Sequence, residues 1–572
     1  MQFRYQYFGS TAVDASATAQ SFRFAPDLLR PLTHFDATLR RDGLAHLQFR
    51  EALSALHSVV VSDMRARGRD KSAYRQWLEA NEQSLLAQFM ARAGELKERA
   101  AALRTELGVL REKKSALLQP FYRAQRKYFD WLYQAHRDAW YVLDPVITVH
   151  PDRLLFEAFS QDESSYCAVS VSHNVFERTG EMACGTTNID YSASLYEEFQ
   201  KIRGYRETRL TVDPGGFGVQ LGSDPALHEE KIDLPDSWVR GFLQVSSAMA
   251  LPATVLELHP MDLHSLCATL RQHRERGGPR SIRVELAPEA APKLVFEPWN
   301  LELPTRRSQL VGEALKAPQT IRLWGRRRLL LLERLIALAT RVRVHLLGTG
   351  LPSFWAVEMG EVTVTLGLSG WSANDWSAAA RFHLLAPRHA IDESAKLAVA
   401  QDLQQHWQAT PAQIAARTGL PRADVSAALA LWTQAGRAVY DIAAGRFAWR
   451  ELMREPLDLR QLQAASEEEN AGLQLVLAGG VRLQGIDQAE GHLRVRGEVK
   501  QGRRTERPVL ELDADERMTD AQCSCSHFQQ HGLRRGPCSH MLALRLVAQP
   551  KIDALRREAA PAPAAVAEED AR

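Results

Sequence analysis

The stretch QCSCSHFQQHGLRRGPCSHMLAL, residues 522–544, decides how the C-terminal part of this chain is read. It holds two short pairs, Cys523-Ser-Cys525 and Cys538-Ser-His540, with twelve residues between them. Residues at i and i+2 of an extended strand point to one side, so both thiols of the first pair face one ion. The second pair sits where an amphipathic helix begins, at Ser539, and completes a tetrahedron from the opposite side. Three thiolates and one imidazole suit zinc, and four protein ligands leave no open position for an activated water. The expectation is one structural Zn2+ per chain on Cys523, Cys525, Cys538 and His540, with no catalytic residue. His527 and His531 in the spacer are alternates for a ligand. Only six cysteines occur in 572 residues, three of them in this cluster, so a disulfide scaffold is not expected and a reducing cytoplasm is the natural setting.

Ahead of the cluster, Val481–Ile486, Leu493–Val499, Pro508–Leu512 and Met518–Cys523 read as a four-stranded antiparallel meander, closed by a helix from Ser539 to about Ala548. This gives a domain over 475–550, with 551–572 as a disordered tail rich in Ala, Pro and Glu. Across a polar linker around Ser466-Glu467-Glu468-Glu469 lies a segment, 395–455, with the clearest helix punctuation in the chain. Leu403 and Trp407 mark a first helix. Thr410 opens a second as N-cap, with Pro411 at its first position, Gln413 completing a capping box and Gly419 ending it. A third helix carries Val425, Ala428, Leu429 and Trp432 at i, i+3, i+4, i+7 and stops at Gly436. Two β runs, Ala438–Ile442 and Phe447–Trp449, follow around a turn ending at Gly445. Three helices and a β-hairpin make a winged helix-turn-helix.

The length predicts several cores rather than one. Residues 1–64 read as an α+β segment that opens on a strand. Residues 65–143 read as long helices with coiled-coil spacing at Leu96, Leu103, Leu110 and Leu117, followed by an aromatic helical stretch from Phe121 to Leu132. From 144 to 375 the pattern becomes an α+β scaffold in which a strand-helix-strand-strand unit recurs three times, the third copy using a helix from Arg328 to Ala339. The Arg326-Arg327-Arg328 run reads as the solvated start of that helix. The fold class is therefore multidomain α+β. No apolar run reaches the ~20 residues of a membrane span.

At the Cys-x-Cys and Cys-x-His pairs the sequence resembles the SWIM zinc-finger family. That resemblance implies a strand-strand-helix scaffold and DNA binding or protein-protein interaction, without enzymatic activity. The layout, with Cys184-Gly-Thr-Thr-Asn188 and Gly370-Trp-Ser-Ala-Asn-Asp-Trp376, also resembles bacterial SWIM proteins that accompany MoxR-type AAA+ ATPases and von Willebrand A-domain proteins. Phosphate-loop, zinc-protease and nucleophile-elbow motifs do not occur in the sequence. Cys184 reads as a small buried hydrophobe, with a nucleophile paired to His173 as the alternative. Between 481 and 549 there are eleven Lys and Arg against nine Asp and Glu, a thin excess for neutralising several phosphates. The expected function is thus a protein-protein interaction adaptor. The alternative is a DNA binder that uses the winged helix and the finger, with Arg422, Arg503, Arg504, Arg534 and Arg535 as candidate contacts.

Overall fold

The computed structural model describes, apart from short gaps, residues 33–63, 145–212, 236–452 and 467–559, with two further strands at Ala12–Ala15 and Ala19–Phe24. Apart from Asp63, these residues belong to one compact unit. The expected opening strand, the coiled coil at 65–143 and the 560–572 end of the tail lie outside the described residues.

The centre is a nine-stranded antiparallel sheet. Its order is Gln309–Val311, Thr254–Leu258, Arg341–Leu346, Ser353–Met359, Val362–Leu368, Ser165–Ser172, Arg153–Phe159, Val146–Val149 and Gly185–Asn188. All seven residues of Arg153–Phe159 are buried, so this strand is covered on both faces. The helix Ala45–Val60 packs on the sheet through an apolar stripe that includes Phe49, Leu53, Leu56 and Val60. The helix Asp236–Met249 meets it at an aromatic cluster, where Phe159 lies 5.5 Å from Trp238 and 4.7 Å from Phe242 between ring centres. Two further sheets flank the centre: a five-stranded one containing Phe35–Leu39 and Glu207–Val212, and a four-stranded one containing Ile282–Leu286 and Gln319–Leu323.

The recurring unit expected over 144–375 is not reproduced. In the second copy the first strand, Thr254–Leu258, joins the central sheet and the later two join the four-stranded one; in the third copy the assignment is reversed. The third copy's helix is also different. Arg326–Leu335 is a 3-10 helix whose buried leucines, Leu329, Leu332 and Leu335, recur every three residues, the period of that helix. The arginine run at its start is not solvated. Arg326 and Arg328 are almost fully buried, and Arg326 donates to the carbonyls of Ser281 and Glu297 while Arg327 donates to those of Leu270 and His273.

Residues 393–449 form three helices, Glu393–His406, Pro411–Thr418 and Arg422–Gln434, with a small antiparallel sheet of Gln408–Ala409, Ala438–Asp441 and Arg446–Trp449. The Thr410 capping box forms: the Gln413 amide N–H donates to Thr410 Oγ1 at 3.2 Å, and the Thr410 N–H donates to Gln413 Oε1 at 2.9 Å. This block is fastened to the central sheet by Arg450, which donates to both Glu157 oxygens at 2.7 and 2.8 Å, while Tyr166 donates to the same carboxylate at 2.7 Å. Both partners are essentially out of water, so the pair stands only because its polar atoms find one another.

The C-terminal domain is a sheet of Val481–Ala489, His492–Gln501, Arg504–Glu506, Val509–Leu512 and Met518–Gln522, with helices Glu467–Leu477, Ser526–His531 and Ser539–Ala559. The last helix corrects the expected tail. It continues through Pro550 to Ala559 because Ile552 is buried, so packing outweighs the lost backbone hydrogen bond. No described helix is long and apolar enough to cross a membrane.

Replacing Arg450 with Met leaves the Glu157 carboxylate buried with a single donor. The expected loss is about 3–5 kcal/mol of stability in chemical denaturation of the full chain. Adding Glu157→Gln to that variant removes the stranded charge and recovers part of the loss.

Candidate metal centre

The strand Met518–Gln522 runs straight into the first cysteine pair. Cys525 then N-caps the short helix Ser526–His531, its sulfur accepting from the Phe528 N–H at 3.4 Å. The chain returns through Gly536, whose φ of +96° suits glycine and whose missing Cβ leaves room for the Arg381 carbonyl. Cys538 and His540 lie at the start of the long helix. The four side chains are all buried, and one ligand atom from each lies within 4.8 Å of all the others. Among the described residues this is the one cluster of its kind. His527 and His531 lie edge to face, 5.2 Å between ring centres, and stand outside it.

The thiols of the cluster act on one another. A hydrogen bond from Cys538 holds the Cys523 thiol down at about 4, against the opposing effect of burial. Cys538, the donor in that bond, is pushed far up, and burial raises Cys525. Thiol ligands bind a metal as thiolates, so a bound cation would favour their deprotonated form. His540 contributes a ring nitrogen. Its Nε2 is 3.1 Å from Gln501 Oε1, and its Nδ1 is buried with no hydrogen-bond partner, which leaves Nδ1 as the atom for the metal. A closed set of three thiolates and one imidazole fits Zn2+.

The candidate arginines do not form one patch. Arg422 makes a two-pronged ion pair with Asp515, 3.1 Å at each contact. Arg534 donates to the carbonyls of Gln530 and His531, and its methylenes lie over Gly350, φ +74°, where any Cβ would collide with them. Arg504 and Arg535 are exposed, and Arg503 lies outside the described residues. Sequence reading missed Asp515 and Gln501. Asp515 sits in a tight turn, Asp513–Arg517, held by Asp513 Oδ1 accepting from the N–H groups of Asp515 and Arg517 at 3.0 and 2.8 Å. Arg517 in turn donates to the Ala250 carbonyl at 3.0 Å, and Arg545 donates to the Glu516 carbonyl at 2.7 Å.

A SWIM zinc-finger family model matches residues 509–547, so the chain carries a SWIM zinc finger there, with Cys523, Cys525, Cys538 and His540 placed to bind one metal ion. No curated protein matches the chain. Among solved structures, proliferating cellular nuclear antigen from Entamoeba histolytica is similar at 12% identity, over 39% of this chain and 88% of that one. Its TM-score is 0.28, too low to bear on fold or function.

Elemental analysis of the purified chain is expected to give about one zinc per chain, and none for Cys523→Ser/Cys538→Ser. Because the thiols must lose protons to bind, zinc affinity should fall as pH is lowered, with metal released into a chelator on acidification.

Proposed function

We propose that the chain is a non-enzymatic, zinc-binding interaction adaptor of a reducing cytoplasm, whose finger is held in a fixed position on the rest of the molecule. Its partners are proteins, and the layout favours a MoxR-type AAA+ ATPase and a von Willebrand A-domain protein. The three helices and hairpin of 393–449 have the order of a winged helix-turn-helix. In that arrangement Arg422–Gln434 would be the helix that reads a DNA major groove.

The observation that carries the adaptor reading is the covering of that helix. Beyond Arg422 none of its residues is exposed. It is packed by Glu393–His406, Pro411–Thr418, Asp236–Met249 and Ala438–Asp441. Its exposed N-terminal arginine is turned to Asp515 of the finger domain. A helix enclosed on these sides, with its remaining residues half-buried, offers little surface to a phosphate backbone, which supports a packing role. Charge points the same way. On the finger's sheet, basic residues are interleaved with acidic partners, as in Arg496 with Asp487 and Arg507 with Glu498.

The alternative is DNA binding through the finger's rim, supported by the exposed Arg504 and Arg535. Fluorescence anisotropy of a labelled random duplex at ~50 mM salt separates the two. The adaptor reading expects no binding there, together with co-purification of a co-expressed MoxR-type ATPase or von Willebrand A-domain protein from the same organism. Tight duplex binding that weakens in Arg504→Ala/Arg535→Ala would replace it with the DNA reading.

A further inference from the structure

The neighbour of His540 lies outside the matched finger. Gln501 ends the strand His492–Gln501 and pairs with Arg504 across a tight turn at Gly502, φ +63°. It is thus placed by the sheet rather than by the Cys-x-Cys and Cys-x-His segments, at a separation of 39 residues from its partner. Its Oε1 is 3.1 Å from His540 Nε2. With its amide oxygen toward the ring, Gln501 accepts from the tautomer that carries the proton on Nε2 and the lone pair on Nδ1. Nδ1 is the ring nitrogen that is buried without a partner of its own. His540 is 6% exposed, so water has little access to hold the ring in the same way.

We propose that Gln501 is a positioning residue of the metal centre: it fixes the ring orientation and tautomer of His540 and makes Nδ1 the better donor. This rests on the zinc reading of the four-residue cluster and adds a member to the site from a strand that the finger motif does not include. Groups that hold a ligating imidazole in this way commonly change metal affinity by about 10- to 100-fold when they are removed.

The test is the zinc dissociation constant of the full chain, measured by competition with a chromogenic chelator, for wild type, Gln501→Leu and Gln501→Glu. Leu keeps the approximate volume and removes the acceptor, whereas Glu keeps an acceptor in the same place. The expected result is a loss of about tenfold or more for Gln501→Leu and affinity at or above wild type for Gln501→Glu. Affinity of Gln501→Leu within about twofold of wild type overturns the proposal, as does a Gln501→Glu variant that loses as much as Gln501→Leu. A wild-type chain that binds no zinc overturns the cluster's zinc reading and this inference together. A wild-type chain that binds zinc beside an indifferent Gln501→Leu overturns the inference alone.

Discussion

Asp515 keeps a carboxylate almost entirely out of water, and two guanidiniums, that of Arg422 reaching it from another block of the chain and that of Arg517 from its own turn, make that burial tolerable. The rest of the C-terminal arrangement follows from these contacts. The same turn sends Arg517 to the carbonyl of Ala250 and receives Arg545 from the long helix, so three separate elements converge on five residues. The strand Met518–Gln522 leaves this turn and delivers Cys523 directly to the metal cluster. The anchored turn and the metal site are therefore two ends of one short, hydrogen-bonded segment. On the far side of the cluster, Arg534 over Gly350 and Gly536 against Arg381 make a second seam with the scaffold. A finger fastened at both seams is a fixed surface on the rest of the molecule.

Arginine is used in this chain as interior structure. Arg326, Arg328, Arg450 and Arg545 are each nearly or fully buried and end on carbonyls or carboxylates. The fork of guanidinium donors suits that task, since one side chain satisfies several acceptors at once. Counting basic residues along the sequence therefore overstates the positive charge offered to a polyanion. Burial also shifts Arg545 down to about 10, a measure of how far it is removed from solvent.

What was legible in the sequence is local chemistry. The cysteine and histidine spacing is contained within eighteen residues and determines its own geometry, and the family match over 509–547 agrees with it. The capping box at Thr410 and Gln413 is equally local and forms as read. What was not legible depends on partners far away in the chain. Arg422 looked like a contact for an external ligand because its acceptor is 93 residues on. Arg326 looked solvated because the carbonyls that receive it, at Ser281 and Glu297, are 45 and 29 residues away in the sequence. The repeat over 144–375 failed because the same alternation of strands and helices feeds two different sheets, a choice made by packing rather than by period. The last helix, read as ending near Ala548, runs on through Pro550 because Ile552 is buried.

The most direct measurement is hydrogen exchange along the full chain before and after zinc is removed with a strong chelator. If the metal cluster and the Asp513–Arg517 turn hold the finger against the covered helix, zinc removal deprotects residues 509–547 and also Ala423–Thr433, while the central strands Ser353–Met359 and Val362–Leu368 keep their protection. Unchanged protection of Ala423–Thr433 after the finger has lost its metal would contradict that coupling.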